Sequence, residues 1–398
     1  MNANNATAKI GVLGGSFQPV HMGHIAMAKS AAVALDLDFV LLVPVKLPPH
    51  KELASGANDD ERYEMLLRAC EDIARTKADD CELRREGKSY TVDTLRYFAD
   101  KYSGAELYLL MGEDMIDSFA DWNSPQAVAR LAHIVAFPRG KNSNITAAIS
   151  KAEGAFNARI TLLPSVGDFS STEIRERLKL GLPIRGYVPK AAEKCIYDNG
   201  LYLPHECRRI FDDMRTTLSE YRFRHTIGVW REAAYYAEKY GADGQKARIA
   251  ALLHDCAKEL SEAELRELLR HNGEPFNSTK ALLHAPAGAI IAHEKYGIND
   301  VDILRAIALH TTADAEMTNL QKIICIADLT EDGRNRFPPP WDGAVEKIHA
   351  ENDLNRAFLL ALSRNLWYIK HRQFEPAPAT LRAINEIRER VGIDEESL

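Results

Sequence analysis

No run of apolar residues in this chain reaches the roughly 20 needed to cross a bilayer, and Met1 to Ala8 lacks both the basic and the apolar part of a secretory leader. A cytoplasmic protein with no membrane partner is the expectation. Positive charge is also in deficit: 50 Lys and Arg against 57 Asp and Glu leave a net charge of −7. That balance excludes a non-specific nucleic-acid binder, and phosphorylated ligands must be attracted by local devices. The six cysteines, Cys70, Cys81, Cys195, Cys207, Cys256 and Cys325, show no Cys-x-x-Cys spacing. Reduced, mostly buried thiols are therefore expected in place of a disulfide framework or a cysteine zinc site. What remains is globular, with 398 residues, 46% of them hydrophobic and 27% charged, enough for two or three domains.

From Lys9 to about Leu203, short apolar runs (Phe39 to Val43, Leu107 to Leu110, Ile134 to Phe137, Ile160 to Leu163) alternate with helical patterns such as Glu61 to Ile73. The alternation predicts an α/β fold with a doubly wound parallel sheet, whose ligands bind beyond the carboxyl ends of the strands. Directly after the apolar strand Ile10 to Leu13 comes Gly14-Gly15-Ser16-Phe17-Gln18-Pro19-Val20-His21-Met22-Gly23-His24, followed by a helical run from Ile25 to Leu35. It is neither a Rossmann Gly-x-Gly-x-x-Gly nor a Walker loop. Glycine at 14 and 15 lets backbone approach a ligand, Gly23 is expected to allow a tight turn, and His24 stands where free amides and the helix dipole attract an anion.

This string resembles the nucleotidyltransferase superfamily, and four further segments narrow the resemblance, over residues 9–203, to the nicotinate-nucleotide adenylyltransferases. Pro44 to Lys51 is similar to that family's proline-rich loop ending in His50-Lys51. Ser89 to Leu95 is similar to its Tyr-Thr-x-Asp-Thr-Leu segment at a helix start, where Thr91 is also expected to cap and Asp93 to favour the positive helix end. Met111 to Asp114, closing a strand, and Phe119 to Trp122, expected within one helix, are similar to its Gly-x-Asp and Phe-x-x-Trp pair. Phe169 to Arg175 is similar to its Ile-Ser-Ser-Thr-x-Ile-Arg helix opening, with Ser170 and Glu173 also forming a possible capping box. Gln18 and Phe169 depart from the usual asparagine and isoleucine.

The resemblance implies ATP binding by Gly14, Gly15, Ser16, Phe17, His24, Gly112, Asp114, Ser170, Ser171, Thr172 and Arg175. It implies nicotinate mononucleotide binding by Lys46, Thr91, Asp93 and Trp122, the last stacking on a pyridine ring. His21, His24 and Arg175, with Mg²⁺, would stabilise the charge of an in-line adenylyl transfer. A sister transferase for another phosphate acceptor is the alternative.

After Pro204 the β-rich runs give way to helical periodicity. We expect a first domain over 1–203, a linker over 204–209 and an all-α second domain over 210–398. In it recur His225, His254-Asp255, His284, His310 and Asp328, each on or beside an apolar helical run. Adjacent helix residues point about 100° apart, so His254 and Asp255 share a site only between packed helices, as metal sites in bundles do. The series resembles the HD-domain phosphohydrolases, and its surrounding words resemble the branch that splits diadenosine tetraphosphate symmetrically. By that resemblance His225, His254, Asp255 and Asp328 hold one metal ion, while His284, His310 and a bridging, catalytic Asp255 hold a second. Iron is favoured, with manganese or zinc also suited. Lys258 and Arg334 are candidates to neutralise phosphate. A nucleotide-sensing regulatory module is the alternative for this half, and oligomerisation is left open.

Overall fold

The computed structural model describes residues 7–49, 53–140, 144–275, 278–334 and 341–392. His50 and Lys51, singled out above, lie outside them. The chain divides into two compact units, residues 1–176 with 184–202, and residues 177–183 with 203–398.

In the first unit six strands form a parallel sheet: β1 (Lys9–Gly15), β2 (Phe39–Pro44), β3 (Thr76–Ala78), β4 (Glu106–Gly112), β5 (Ala132–Phe137) and β6 (Ile160–Leu162), in the order β3-β2-β1-β4-β5-β6. Ile10, Val12 and Leu13 of β1, Val40 to Val43 of β2 and Leu109 to Met111 of β4 are all buried. Continuous apolar runs are what a parallel strand covered on both faces requires. The helices are α1 (Met22–Ala34), α2 (Asp59–Glu71), α3 (Cys81–Arg84), α4 (Thr91–Lys101), α5 (Glu113–Asp117), α6 (Pro125–Leu131), α7 (Ile145–Phe156), α8 (Ser171–Lys179) and α9 (Lys190–Asp198). The strand order reverses between β1 and β4, which opens a crevice at their carboxyl ends, the usual ligand site of such a sheet.

Three local expectations are corrected. Phe119 to Trp122 is not part of one helix: α5 stops at Asp117, a single 3₁₀ turn spans Phe119–Asp121, and Trp122 is extended. Tyr90, not Thr91, sits at the cap position of α4. Gly23 does not turn the chain but lies inside α1, where a Cβ would meet the His21 ring at 3.1 Å and Phe169 Cβ at 3.0 Å.

The second unit is helical: α10 (His205–Thr217), α11 (Glu220–Tyr240), α12 (Gly244–Leu253), α13 (Glu262–His271), α14 (Lys280–Tyr296), α15 (Val301–Leu309), α16 (Asn319–Thr330), α17 (Ala344–Ala350), α18 (Leu354–His371) and α19 (Pro378–Val391). Its boundaries are set by local chemistry. Asp243 and Asp300 accept amides at the starts of α12 and α15, capping boxes open α13 (Ser261 with Glu264) and α16 (Thr318 with Gln321), and Gly241 and Gly297 close α11 and α14 at positive φ. No helix among the described residues is long and apolar enough to cross a membrane.

Candidate active sites

A cleft of about 630 Å³ opens at the carboxyl edge of the sheet and is lined by Gly14, Gly15, Ser16, His21, His24, Thr91, Gly112, Asp114, Trp122, Ser171, Thr172 and Arg175. His21 is the N-cap of α1, and its amide donates to His24 Nδ1 at 3.2 Å. The two imidazoles stack with centroids 3.7 Å apart. Burial, helped by the positive charge of Arg139, pushes the His21 pKa down to about 4. The ring is therefore neutral near pH 7, so it can act as a hydrogen-bond donor and not as a cation.

The start of α8 is tied to the same loop. Ser171 Oγ donates to the Pro19 carbonyl at 2.9 Å, and Arg175 Nη1 donates to the Gln18 carbonyl at 2.6 Å. Two helix beginnings thereby face one crevice and turn their positive dipole ends toward an anion.

Four expected ligand residues do not line the cleft. Phe17 is fully buried beneath Gly15 and stands 4.7 Å from the His24 ring, which it supports from behind. Lys46 Nζ donates to the Arg85 carbonyl, Asp93 pairs with Arg96, and Ser170 Oγ accepts the Thr172 amide as a helix cap.

Sequence reasoning missed three contributors. Arg139 follows β5 into the cleft, its amide held by Glu113, and only its place after a predicted strand could have marked it. Glu82 also lines the cleft; burial raises its pKa, and it accepts the Thr94 hydroxyl at 2.6 Å. Arg62 of α2 is fully buried and donates to the Ser16 carbonyl at 2.8 Å and the Val45 carbonyl at 2.7 Å, so one guanidinium fastens the loops after β1 and β2 together.

In the second unit the histidines converge. His225 comes from α11, His284 from α14 and Asp328 from α16, while His254 and His310 are the C-cap residues of α12 and α15. Two trios have donor atoms within 4.8 Å of one another: His225, His254 and Asp255, then Asp255, His284 and His310. Asp255 belongs to both. Its Oδ1 lies 3.1 Å from His284 Nε2 and 3.5 Å from His310 Nε2. Asp328 Oδ1 lies 3.0 Å from His225 Nε2 but falls outside the trios. His293 and His271 are exposed and belong to neither trio.

These residues fit a pair of divalent cations. His254 and His310 donate Nδ1–H to the carbonyls of Ala251 and Ile307, each at 2.7 Å, which leaves both Nε2 lone pairs directed inward. Those lone pairs lie 3.3 Å from the Nε2 atoms of His225 and His284, a spacing that a cation between them would satisfy. A positive stand-in is already present: the Lys258 ammonium reaches His284 Nε2 at 2.8 Å and Asp255 Oδ1 at 3.3 Å. Burial drives the pKa of His254 down to about 3 and that of His284 to about 4. Asp255, although buried, is held well below the usual carboxylate range by His254, His284 and His310. Around the rim stand Arg334, 3.2 Å from Asp328, and Arg222, 3.9 Å from Asp255, the latter unanticipated.

Residues 12–177 match the cytidylyltransferase-like family, and residues 222–332 match the HD domain family. Over 195 residues the chain is 38% identical to a "Probable nicotinate-nucleotide adenylyltransferase" of Shouchella clausii, covering 49% of this chain and 96% of that protein. A protein of the same description from Dictyoglomus thermophilum is 39% identical over 200 residues, covering 49% of this chain and 100% of the relative. A crystal structure described as a predicted HD superfamily hydrolase involved in NAD metabolism, from Clostridium acetobutylicum, shares 34% identity, covers 46% of this chain and 97% of its own, and has a TM-score of 0.42. The chain thus belongs, through its first half, to the nicotinate-nucleotide adenylyltransferase family, and it carries an HD domain in its second.

Proposed function

We propose that the chain is a bifunctional enzyme. The first unit transfers AMP from ATP to nicotinate mononucleotide, giving nicotinate adenine dinucleotide and pyrophosphate. The second hydrolyses a dinucleoside polyphosphate such as diadenosine tetraphosphate to two ADP. Family membership supports the transfer, and the observation that carries it to named residues is the pairing of His21 and His24 with the start of α8 on one cleft. For hydrolysis the supporting observation is the pair of nitrogen–oxygen trios sharing Asp255.

In the transfer, the acceptor phosphate attacks the α-phosphorus of ATP and pyrophosphate leaves, with no covalent intermediate. Positioning and charge stabilisation are then the whole task. Gly14 and Gly15 lie at the crevice floor, and a Cβ at Gly14 would meet nothing within 4 Å, so the backbone there is open to close approach. His21 and His24 donate hydrogen bonds to phosphate oxygens, while Thr172, Ser171 and Arg175 hold the leaving pyrophosphate at the α8 start. Mg²⁺ would offset the remaining triphosphate charge. Half-buried Trp122, packed edge-on against Phe119 at 5.6 Å, offers its face to the nicotinate ring beside Thr91.

In the hydrolase unit, His225, His254, Asp255, His284, His310 and Asp328 would hold two divalent ions, iron, manganese or zinc, which when bound supply water activation and Lewis acidity at phosphorus. Arg222, Lys258 and Arg334 hold the polyphosphate against that centre.

The full chain is tested with ATP and nicotinate mononucleotide, and separately with diadenosine tetraphosphate. His24→Ala should reduce dinucleotide formation at least 100-fold, the scale of losing one donor to the transition state, and leave polyphosphate hydrolysis unchanged. Unaltered adenylyl transfer in that variant, or wild-type transfer to phosphopantetheine in preference to the mononucleotide, refutes the first reading. An absence of hydrolysis at full metal loading refutes the second and favours a sensing role.

A further inference from the structure

Among the four inward-facing histidines, His225 is the one whose rear nitrogen meets a carboxylate in the described residues. The Nδ1 atoms of His254 and His310 are each satisfied by a carbonyl three residues earlier in their own helix. His225 instead has a carboxylate behind it: Glu331 Oε1 lies 3.2 Å from its Nδ1, although the two residues are 106 positions apart. Glu331 is the C-cap of α16, is 6% exposed, and is held on several sides. Its Oε2 accepts the Gly333 amide at 2.7 Å, and Arg334 Nε lies 3.9 Å from Oε1. Two glycines make the room. A Cβ on Gly228, one turn beyond His225 in α11, would lie 2.8 Å from Glu331 Oε2, and one on Gly333 would lie 2.7 Å from Oε1.

From this geometry we infer that Glu331 is a positioning residue for the metal centre: it fixes His225 as the Nδ1–H tautomer with Nε2 aimed at His254, and so sets the affinity of the ion in the His225–His254–Asp255 trio and not of its neighbour. A carboxylate accepting the rear N–H of a metal-bound imidazole locks the ring's orientation and raises its basicity more than a carbonyl does. The carboxylate touches neither substrate nor ion; it acts through His225. The inference rests on the reading of the HD domain as a two-ion centre. The second trio is backed by the Ile307 carbonyl behind His310 and by Lys258 beside His284, none of which contacts Glu331.

The test uses the full chain, stripped with chelator and titrated with Mn²⁺ by calorimetry. Wild type should bind two ions. Glu331→Leu should weaken one ion about 10–100-fold and leave the other unchanged, the unaffected ion reporting that the fold is intact. Glu331→Gln keeps one acceptor oxygen for Nδ1–H but loses the charge and sets its amide NH2 against the Gly333 N–H, so it should recover only part of the loss. Gly228→Ala should reproduce the weakening by displacing an intact carboxylate. Two tight ions in Glu331→Leu, or equal weakening of both, overturns the assignment of Glu331 alone. A wild type that binds no ion overturns the two-ion centre with it.

Discussion

The first unit meets its ligand with helix beginnings, whereas two of the four imidazoles of the second sit at helix ends. His21 opens α1 and Ser171 opens α8, so amides and positive dipole ends converge on the cleft. His254 closes α12 and His310 closes α15, so carbonyls and negative dipole ends converge on the HD centre. One site suits anions and the other cations before any side-chain charge is counted. The difference teaches how a chain of net charge −7 could host the two proposed phosphate chemistries: neither would depend on a basic surface, because each begins from backbone polarity.

The sharpest way to break that comparison is Asp255→Ala. If the two centres are independent, this variant should lose both ions and all polyphosphate hydrolysis while adenylyl transfer continues at the wild-type rate, measured by metal analysis and paired assays. A parallel loss of transfer would show that the two polarities are not separable. Next in size is Arg62→Met, which removes a buried cation from two loop carbonyls. It should destabilise the protein by about 2–5 kcal/mol, the scale of leaving buried partners unpaired, and raise the KM for ATP in the fraction that stays folded; denaturant melts with steady-state kinetics measure both.

The smallest effect concerns pH. The folded pKa of His21 lies below its ordinary value of 6.5, at about 4, because burial disfavours the cation. The unfolded chain therefore binds more protons between those values. The stability that this residue contributes is complete above pH 6.5 and is lost progressively as pH falls toward 4. The His21 imidazole resonance should titrate near pH 4 in an NMR series, with no change of transfer rate attributable to it between pH 6.5 and 8. A midpoint near 6.5 would remove the neutral-donor role and make the cleft a cationic site.

The parts of this architecture that were legible in the sequence share one property: their information is local. The loop from Gly14 to His24 carries strand, glycines and helix start within a few positions, and the sheet announced itself through strands such as Phe39 to Val43. Strand β3 was missed because Thr76-Lys77-Ala78 has no apolar run to detect. The break after Asp117 was missed because Phe119 and Trp122 fit helical spacing, and only the backbone at Ser118, with ψ near 3°, ends the helix. Arg62 looks like an ordinary charge in an acidic helix start, and its partner Ser16 is 46 residues away. Glu331 lies farther still from His225. The histidine series itself was readable because each member punctuates an apolar helix, but which member each carboxylate supports depends on how α11 meets α16, and no local pattern encodes that.

One carboxylate stands in both nitrogen–oxygen trios of the HD domain. Were each trio to hold an ion, losing His225 or His310 would open one site, whereas losing Asp255 would open both at once.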